Sequence, residues 1–374
     1  MYWILYSVFL IFSYWHFYDA LPLPVTFSAQ IYEKIETIRI FIQYNWVKDL
    51  FNRKMESWFW ILGWFLSILT ITGNGFIIFL VCKKRQLRTN TNAFVVSLAV
   101  ADLCVGISVF PMLFLYEMTR DRNFSQALYK GVLISRWFFQ DASVMSLCSL
   151  VLERYIAIVK PFKYVTFMRG HRVVQMIFFP WAITVIFILL ESSLWIGLKS
   201  SFVLKIFIWL VIPFFEFLPC CLVIFCLFCM LRVVYKHKRA ANILTRQLRL
   251  NHCVSYRSYE NSAVVMVTVV SGIFLVCYGL YLRCGFMMVF NIVQDCSHFT
   301  SYQMPMLVFN SAFNPLAYAF FKRDIKKEIK RLCAWSLKKQ RLKNIRHCYD
   351  YDVKRIPVTR SALGERHKVI GSEL

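Results

Sequence analysis

Seven stretches of this chain are each apolar for about twenty residues or more, and that succession excludes most folds. They run over 58–82, 93–117, 127–159, 173–195, 205–233, 262–290 and 302–321. The hydrocarbon core of a bilayer is about 30 Å thick and takes roughly 20 apolar residues in a helix. Each block therefore has the length of a membrane span. Composition agrees, because 59% of the 374 residues are hydrophobic and only 17% are charged. A soluble chain of this length would need more charge to cover its core. The aromatic share, 18% with 36 Phe and 11 Trp, suits lipid-facing helices with interfacial belts. The expected fold class is an all-α membrane protein. It is a seven-transmembrane helix bundle over 58–321, preceded by residues 1–20 and 21–57.

The net charge of +24 would suit nucleic-acid binding if the cations formed one patch. They do not, so no nucleic-acid partner is expected. The cations lie between and after the blocks, on alternate sides: Lys83, Lys84, Arg85 and Arg88, then Lys160, Lys163, Arg169 and Arg172, then Lys236, Lys238, Arg239, Arg246, Arg249 and Arg257. The stretch from Lys322 onward holds sixteen Lys and Arg against six acids. The opposite loops hold few cations: Arg120, Arg122 and Lys199. Cytoplasmic loops carry the Lys and Arg excess. The amino end is then extracellular and the carboxyl end cytoplasmic. The glycosylation sequon at Asn123 falls on the outer side, very near the membrane. Residues 1–20 read either as a signal peptide or as an N-terminal extension, and 21–57 as an extracellular segment. Most of the 13 Cys lie inside apolar blocks and behave there as small hydrophobes.

Polar groups inside a span are costly. A central Arg or Asp costs roughly 2.5–3.5 kcal/mol on insertion scales. Here they fall one per span, in order: Asn74 after Gly73, Asp102 in Leu98-Ala99-Val100-Ala101-Asp102-Leu103, and Glu153-Arg154-Tyr155 at the end of span 3. Trp181 lies in span 4, Pro219 in span 5, and Asn314-Pro315-Leu316-Ala317-Tyr318 closes span 7. A short basic amphipathic stretch follows over 322–333, and then a basic tail over 334–374. This ordered set, spanning roughly 58–333, resembles the rhodopsin-like G-protein-coupled receptor family. The resemblance implies a plasma-membrane receptor with an extracellular ligand, a heterotrimeric G protein as partner and no required cofactor. It also implies contact with membrane lipids, to which the basic tail adds anionic-lipid attraction.

The family's roles carry over residue by residue. Glu153 would hold Arg154 at the cytoplasmic end of span 3, and Glu260, at the start of span 6, would pair with Arg154 to lock the inactive state. Span 6 would then swing out on activation. A plain mutual neutralisation of Glu153 and Arg154 is the alternative. Asn314-Pro315 would bend span 7 and leave Tyr318 free to move. Asp102, Ser143, Asn310, Ser311 and Asn314 match positions that surround a sodium ion in many members, with a water-filled polar cluster as the alternative. Cys333 matches a palmitoylation site.

Helix geometry points to the ligand side. Arg136 precedes Arg154 by 18 residues, five turns at 3.6 residues per turn, so both lie on one face of span 3. Gln140 and Ser143 share that face. Asp141, Glu216 and Arg283 are further charges within the spans, and they either pair internally or meet a charged ligand. Tyr278 and Tyr281 in span 6 complete the ligand-binding candidates. Amine receptors of the family carry Asp where this chain has Arg136, which implies a ligand other than a biogenic amine. Opsins carry a retinal-binding Lys where this chain has Val308. Span 7 has no Lys before Lys322, so a retinal Schiff base is excluded.

Several positions depart from the family pattern. Tyr129 stands where a disulfide Cys is usual, and the loop near 196–204 has no Cys, so that bridge cannot form. Cys284 and Cys296 could bridge near the third outer loop. In span 6, Tyr278 replaces a Trp and Leu280 a Pro, with Gly279 between them to soften the helix; in span 5, Leu227 replaces a Tyr. These changes leave open a second reading, an atypical seven-helix receptor without G-protein output. Internal repeats, which transporters tend to show, are absent. So are a nucleophile elbow, HExxH, a P-loop and metal-spaced Cys/His sets, and no enzyme is expected.

Overall fold

The computed structural model describes residues 57–119, 125–197, 213–248, 257–289, 297–335, 338 and 340–341, and among them every long element is a helix and none is a strand. Span 1 is α1 (Ser57–Lys83). Span 2 is α2 (Asn90–Ser108) continued by α3 (Phe110–Thr119), and span 3 is α4 (Ser125–Val159). After the short α5 (Pro161–Phe167) comes span 4, α6 (Gly170–Gly197). Span 5 is a π turn at Pro213–Phe217 leading into α7 (Leu218–Leu248), span 6 is α8 (Arg257–Val289) and span 7 is α9 (Ser297–Phe321). Helices are the only open structures that satisfy their own backbone in lipid. Five of these spans are long and apolar enough to cross a membrane by length and composition, and Val264–Leu280 in span 6 is a further apolar stretch.

Span 2 packs on spans 1 and 3, span 7 on spans 1 and 6, and span 3 on spans 4 and 5. Burial inverts the rule for soluble proteins. The groups turned inward include Asn74, Asp102, Ser143, Asn310, Ser311 and Asn314, all nearly or fully buried. The groups turned outward include Ile61, Phe65, Phe79, Phe178, Leu189 and Phe228, each more than half exposed. A chain folded for water would pay for that surface, whereas in lipid it costs nothing.

Local chemistry sets several boundaries. The Thr89 side chain caps α2 by accepting from the Asn92 N–H at 3.3 Å. Span 2, expected to be one helix over 93–117, breaks at Val109. Pro111 lies two residues on; it has no N–H, and its ring crowds the carbonyl of residue 107. Spans 5 and 6 were expected over 205–233 and 262–290. Their helices instead run on to Leu248 and start at Arg257. Hydropathy stops at the lipid edge, but Lys, Arg, Gln and Ala beyond it are good helix formers. Residues 323–335 form a further helix, close to the expected 322–333, with Ile325, Ile329 and Leu332 on one face and a Glu328–Arg331 ion pair.

An apolar cluster of Phe59, Leu66, Val105, Val109, Phe110, Leu113, Met304, Val308 and Ala312 joins spans 1, 2 and 7. Gly63 makes it possible, because a Cβ there would fall inside the Phe110 ring. Phe110 is fully buried and packs on Phe59 with ring centroids 5.1 Å apart, so it has nowhere to go. Gly63→Ala is expected to destabilise the bundle by about 1–3 kcal/mol, the usual cost of overpacking. A thermal unfolding curve in lipid nanodiscs checks this, and an unchanged midpoint would refute it.

Candidate functional site

Three polar layers lie along the inner face of span 3. Arg136, Gln140, Ser143 and Leu147 are all buried, as five-turn helical spacing requires. At the Arg136 end, the guanidinium lies over the Trp137 ring at 4.7 Å. One turn along, Gln140 Nε2 donates to the Tyr278 hydroxyl at 3.3 Å, which ties span 3 to span 6. Tyr278 in turn packs on Phe274, with centroids 4.5 Å apart. Asp141 is partly buried on another face of span 3. The structure thus joins Gln140 and Tyr278 among the ligand-site candidates. The side chains of Tyr281, Arg283 and Glu216 lie outside the described residues, as do Asn123, the side chains of Tyr129 and Cys284, and Cys296.

The middle layer centres on Asp102. Its Oδ1 accepts from Ser143 Oγ at 2.6 Å and its Oδ2 from Asn314 Nδ2 at 2.7 Å. Span 2 is therefore tied to spans 3 and 7 through one fully buried carboxylate. Asn74 explains itself through Pro315. The proline has no N–H, so the carbonyl of Ser311, four residues earlier, loses its helical donor. Asn74 Nδ2 supplies one at 3.2 Å and also donates to Thr70 O at 2.9 Å. A Cβ at Gly73 would sit 3.0 Å from Pro315, so the glycine lets the two spans approach. Asn310 Oδ1 and the Tyr318 hydroxyl are buried without a hydrogen-bond partner among the described residues, and the Ser311 hydroxyl is buried beside the Asp102 carboxylate. Trp181 Nε1 donates to Ser97 Oγ at 3.1 Å, giving span 4 its polar tie to span 2. Pro219 is buried in the first turn of α7, directly after the π turn, where its missing N–H costs little.

The third layer surrounds Arg154. Glu153 is fully buried and takes two hydrogen bonds from the Arg154 guanidinium. Arg154 also donates to Thr91 Oγ1, Thr91 donates to Glu153 Oε1 at 3.1 Å, and Tyr164 OH donates to the same oxygen at 2.7 Å. Burial, and then the Glu153 carboxylate beside it, push the Tyr164 phenol up to about 12. Its pKa is raised, so the neutral donor form is fully present below the ordinary phenol value near 10 and is lost only as pH climbs towards about 12. Tyr155 leaves this group and tilts against Phe225 of span 5, at 6.1 Å. The Glu260 side chain lies outside the described residues. Cys333 is exposed.

Thr91 and Tyr164 are absent from the sequence expectations. Pro161 at the first helical position signals a helix over 161–167, and Tyr164 lies one turn into it. Nothing in the sequence pairs either residue with Glu153. Tyr164→Phe is expected to lower stability by about 1.5–3 kcal/mol, the worth of a hydrogen bond to a charged group. The change appears as a lower thermal midpoint below pH 10, and an unchanged midpoint would show that the bond contributes nothing.

The geometry agrees with what the chain is similar to. The model of the 7 transmembrane receptor (rhodopsin family) matches residues 73–318. The histamine H2 receptor of Cavia porcellus is 26% identical over 287 residues, 70% of this chain and 75% of that receptor. The octopamine receptor beta-2R of Drosophila melanogaster is 25% identical over 351 residues, 75% of this chain and 64% of that one. The crystal structure of squid rhodopsin superposes with a TM-score of 0.62 at 19% identity, covering 75% of this chain and 85% of that one, a likeness of fold. The amine-receptor relatives overturn the expectation, drawn from Arg136, of a ligand other than a biogenic amine. That expectation weighed a single counter-ion position, whereas the likeness extends over most of the chain. The chain belongs to the rhodopsin family of seven-transmembrane receptors, and is a multi-pass plasma-membrane protein rather than an enzyme.

Proposed function

We propose that this receptor binds a biogenic amine in the half of the bundle that holds Arg136 and passes the signal to a heterotrimeric G protein at the Arg154 end. The amino end is then extracellular and the carboxyl end cytoplasmic, as the loop charges favour. The observation that carries the signalling half is the Glu153–Arg154–Thr91–Tyr164 group. It is a charged arrangement at the mouth of the bundle, held together by contacts that span 2 and α5 can release. The amine half rests on the histamine and octopamine receptors among the relatives. An ammonium needs a carboxylate, and Arg136 repels it. The candidate is Asp141, the one carboxylate in this half of span 3, partly buried and about 140° around the helix from Arg136 at 3.6 residues per turn. Arg136 is then left for a hydroxyl or carbonyl of the ligand.

A sodium ion fits the Asp102 layer, because a hard cation takes oxygen ligands. Asp102, Ser143, Asn310, Ser311 and Asn314 would hold it, and Asn310 Oδ1 is a buried oxygen without a hydrogen-bond partner among the described residues. The ion would supply positive charge against the carboxylate. Cys333, exposed beyond the last span, is a fit place for a palmitoyl chain.

The test is nucleotide exchange on a panel of Gα subunits with the receptor in nanodiscs, adding histamine, octopamine and related amines. Amine-dependent exchange that Asp141→Asn weakens at least tenfold in amine affinity supports the proposal. Amine binding without exchange on any Gα would instead favour the atypical receptor, and no amine binding would sink the ligand assignment.

A further inference from the structure

Resting on the receptor reading above, we propose that Thr91 is a phosphorylation site, and that a phosphate on it takes Arg154 out of reach of the G protein. Several features converge on this one hydroxyl. Thr91 is the second residue of α2, where backbone N–H groups and the helix dipole favour an anion. Its Oγ1 already accepts from the Arg154 guanidinium and donates to Glu153 Oε1 at 3.1 Å. Arg88 stands three residues before it and is exposed, its guanidinium donating to the Cys82 carbonyl at 2.6 Å. A cation at that place belongs to the charge patterns by which kinases select their substrates. Lys83 and Arg85, also exposed, make the turn between α1 and α2 more positive still.

The half-buried hydroxyl opens to a kinase whenever Arg154 leaves it. Thr91 Oγ1 then attacks the γ-phosphorus of ATP. The Oγ1–P bond forms, the bond from phosphorus to the bridging oxygen breaks, ADP departs, and the hydroxyl proton passes to the kinase's base. The product carries a charge of about −1.5 to −2 at pH 7 and three acceptor oxygens. Glu153, which takes two hydrogen bonds from Arg154 with a single negative charge, is outbid. It also loses the Thr91 hydrogen bond, because the esterified oxygen has no proton to donate. A guanidinium and a phosphate match in a two-pronged pair, so Arg154 is held at the start of α2. Tyr164 still donates to the Glu153 carboxylate.

The full receptor in nanodiscs is treated with cyclic-AMP-dependent protein kinase and ATP, with and without the amines above, and the phosphate is mapped by mass spectrometry. Phosphate is expected on Thr91. It should be lost in Thr91→Val and fall about tenfold in Arg88→Ala, the worth of one hydrogen bond to a charged group. Nucleotide exchange should fall by about tenfold or more on phosphorylation, for the same reason, and a Ser/Thr phosphatase should restore it. A second readout needs no G protein. Phosphorylation should lower the thermal midpoint further in Arg154→Ala than in the parent, since only the parent has the guanidinium to meet the phosphate. Arg154→Gln replaces the alanine variant if that yields too little folded receptor. No phosphate on Thr91, phosphate on Thr89 alone, or equal midpoint changes with and without Arg154 overturns the proposal, as does exchange that phosphorylation leaves unchanged. A phosphate on Thr91 that couples to Arg154 in the melt, while the unmodified receptor is silent on every Gα, upholds the site and refutes the signalling proposal instead.

Discussion

Replacing Asp102 with leucine is expected to cost the receptor about 2–5 kcal/mol and most of its folded yield at 37 °C. Leucine keeps the branched heavy-atom shape, with methyl groups larger than the oxygens they replace, so some overpacking adds to the main effect. The main loss is of partners. Ser143 Oγ and Asn314 Nδ2 each donate to one carboxylate oxygen at 2.6 and 2.7 Å, and both residues are buried. With leucine in place, two buried donors have no acceptor, and each such group costs about 1–3 kcal/mol. Spans 3 and 7 also lose their common anchor on span 2. Asp102→Asn is expected to fall between, because its one oxygen can serve only one of the two donors. Thermal unfolding in nanodiscs, with and without sodium, separates these cases. Asp102→Asn should also lose whatever midpoint gain sodium gives the parent chain. A leucine variant as stable as the parent would show that the layer does not hold the spans together.

Much of this arrangement is legible before any coordinates. The spacing of polar residues within apolar blocks is enough to assign Asn74, Asp102, Arg154 and Asn314 to a shared interior, because no other placement is affordable in lipid. Five-turn spacing is enough to align Arg136 with Arg154. The break at Val109 is less legible, since Pro111 begins a helix as readily as it ends one. Span ends resist for a different reason: hydropathy reports the lipid edge and not the helix end. Thr91 and Tyr164 escape notice because ordinary polar residues near a membrane face carry no sign of their partner. Their link to Glu153 exists only once span 2, span 3 and α5 meet. The reading of Arg136 misled because the sequence shows a charge without showing what opposes it. A single position carries less weight than a likeness to amine receptors that extends over most of the chain.

Arg154→Ala is expected to abolish nucleotide exchange on every Gα and also to destabilise the receptor, and the second effect can be told from the first. Glu153 is fully buried, and the arginine, itself 13% exposed, is the only cation among its described hydrogen-bonding partners. Removing one partner of such a pair strands a charge, at about 3 kcal/mol, the low end of the usual range because the arginine touches water. Thr91 and Tyr164 still donate to the carboxylate and soften the loss without cancelling its charge. Neutralising Glu153 as well removes the stranded charge. The double variant Glu153→Gln/Arg154→Ala should therefore melt higher than Arg154→Ala alone while remaining equally silent in exchange. Glu153→Gln alone should have the opposite functional sign: the guanidinium loses its strongest hold, and ligand-independent exchange rises. If the double variant melts no higher than Arg154→Ala, the pair is not a coupled buried unit. If Glu153→Gln leaves basal exchange unchanged, the carboxylate does not restrain Arg154, and the quiet state is held elsewhere in the bundle.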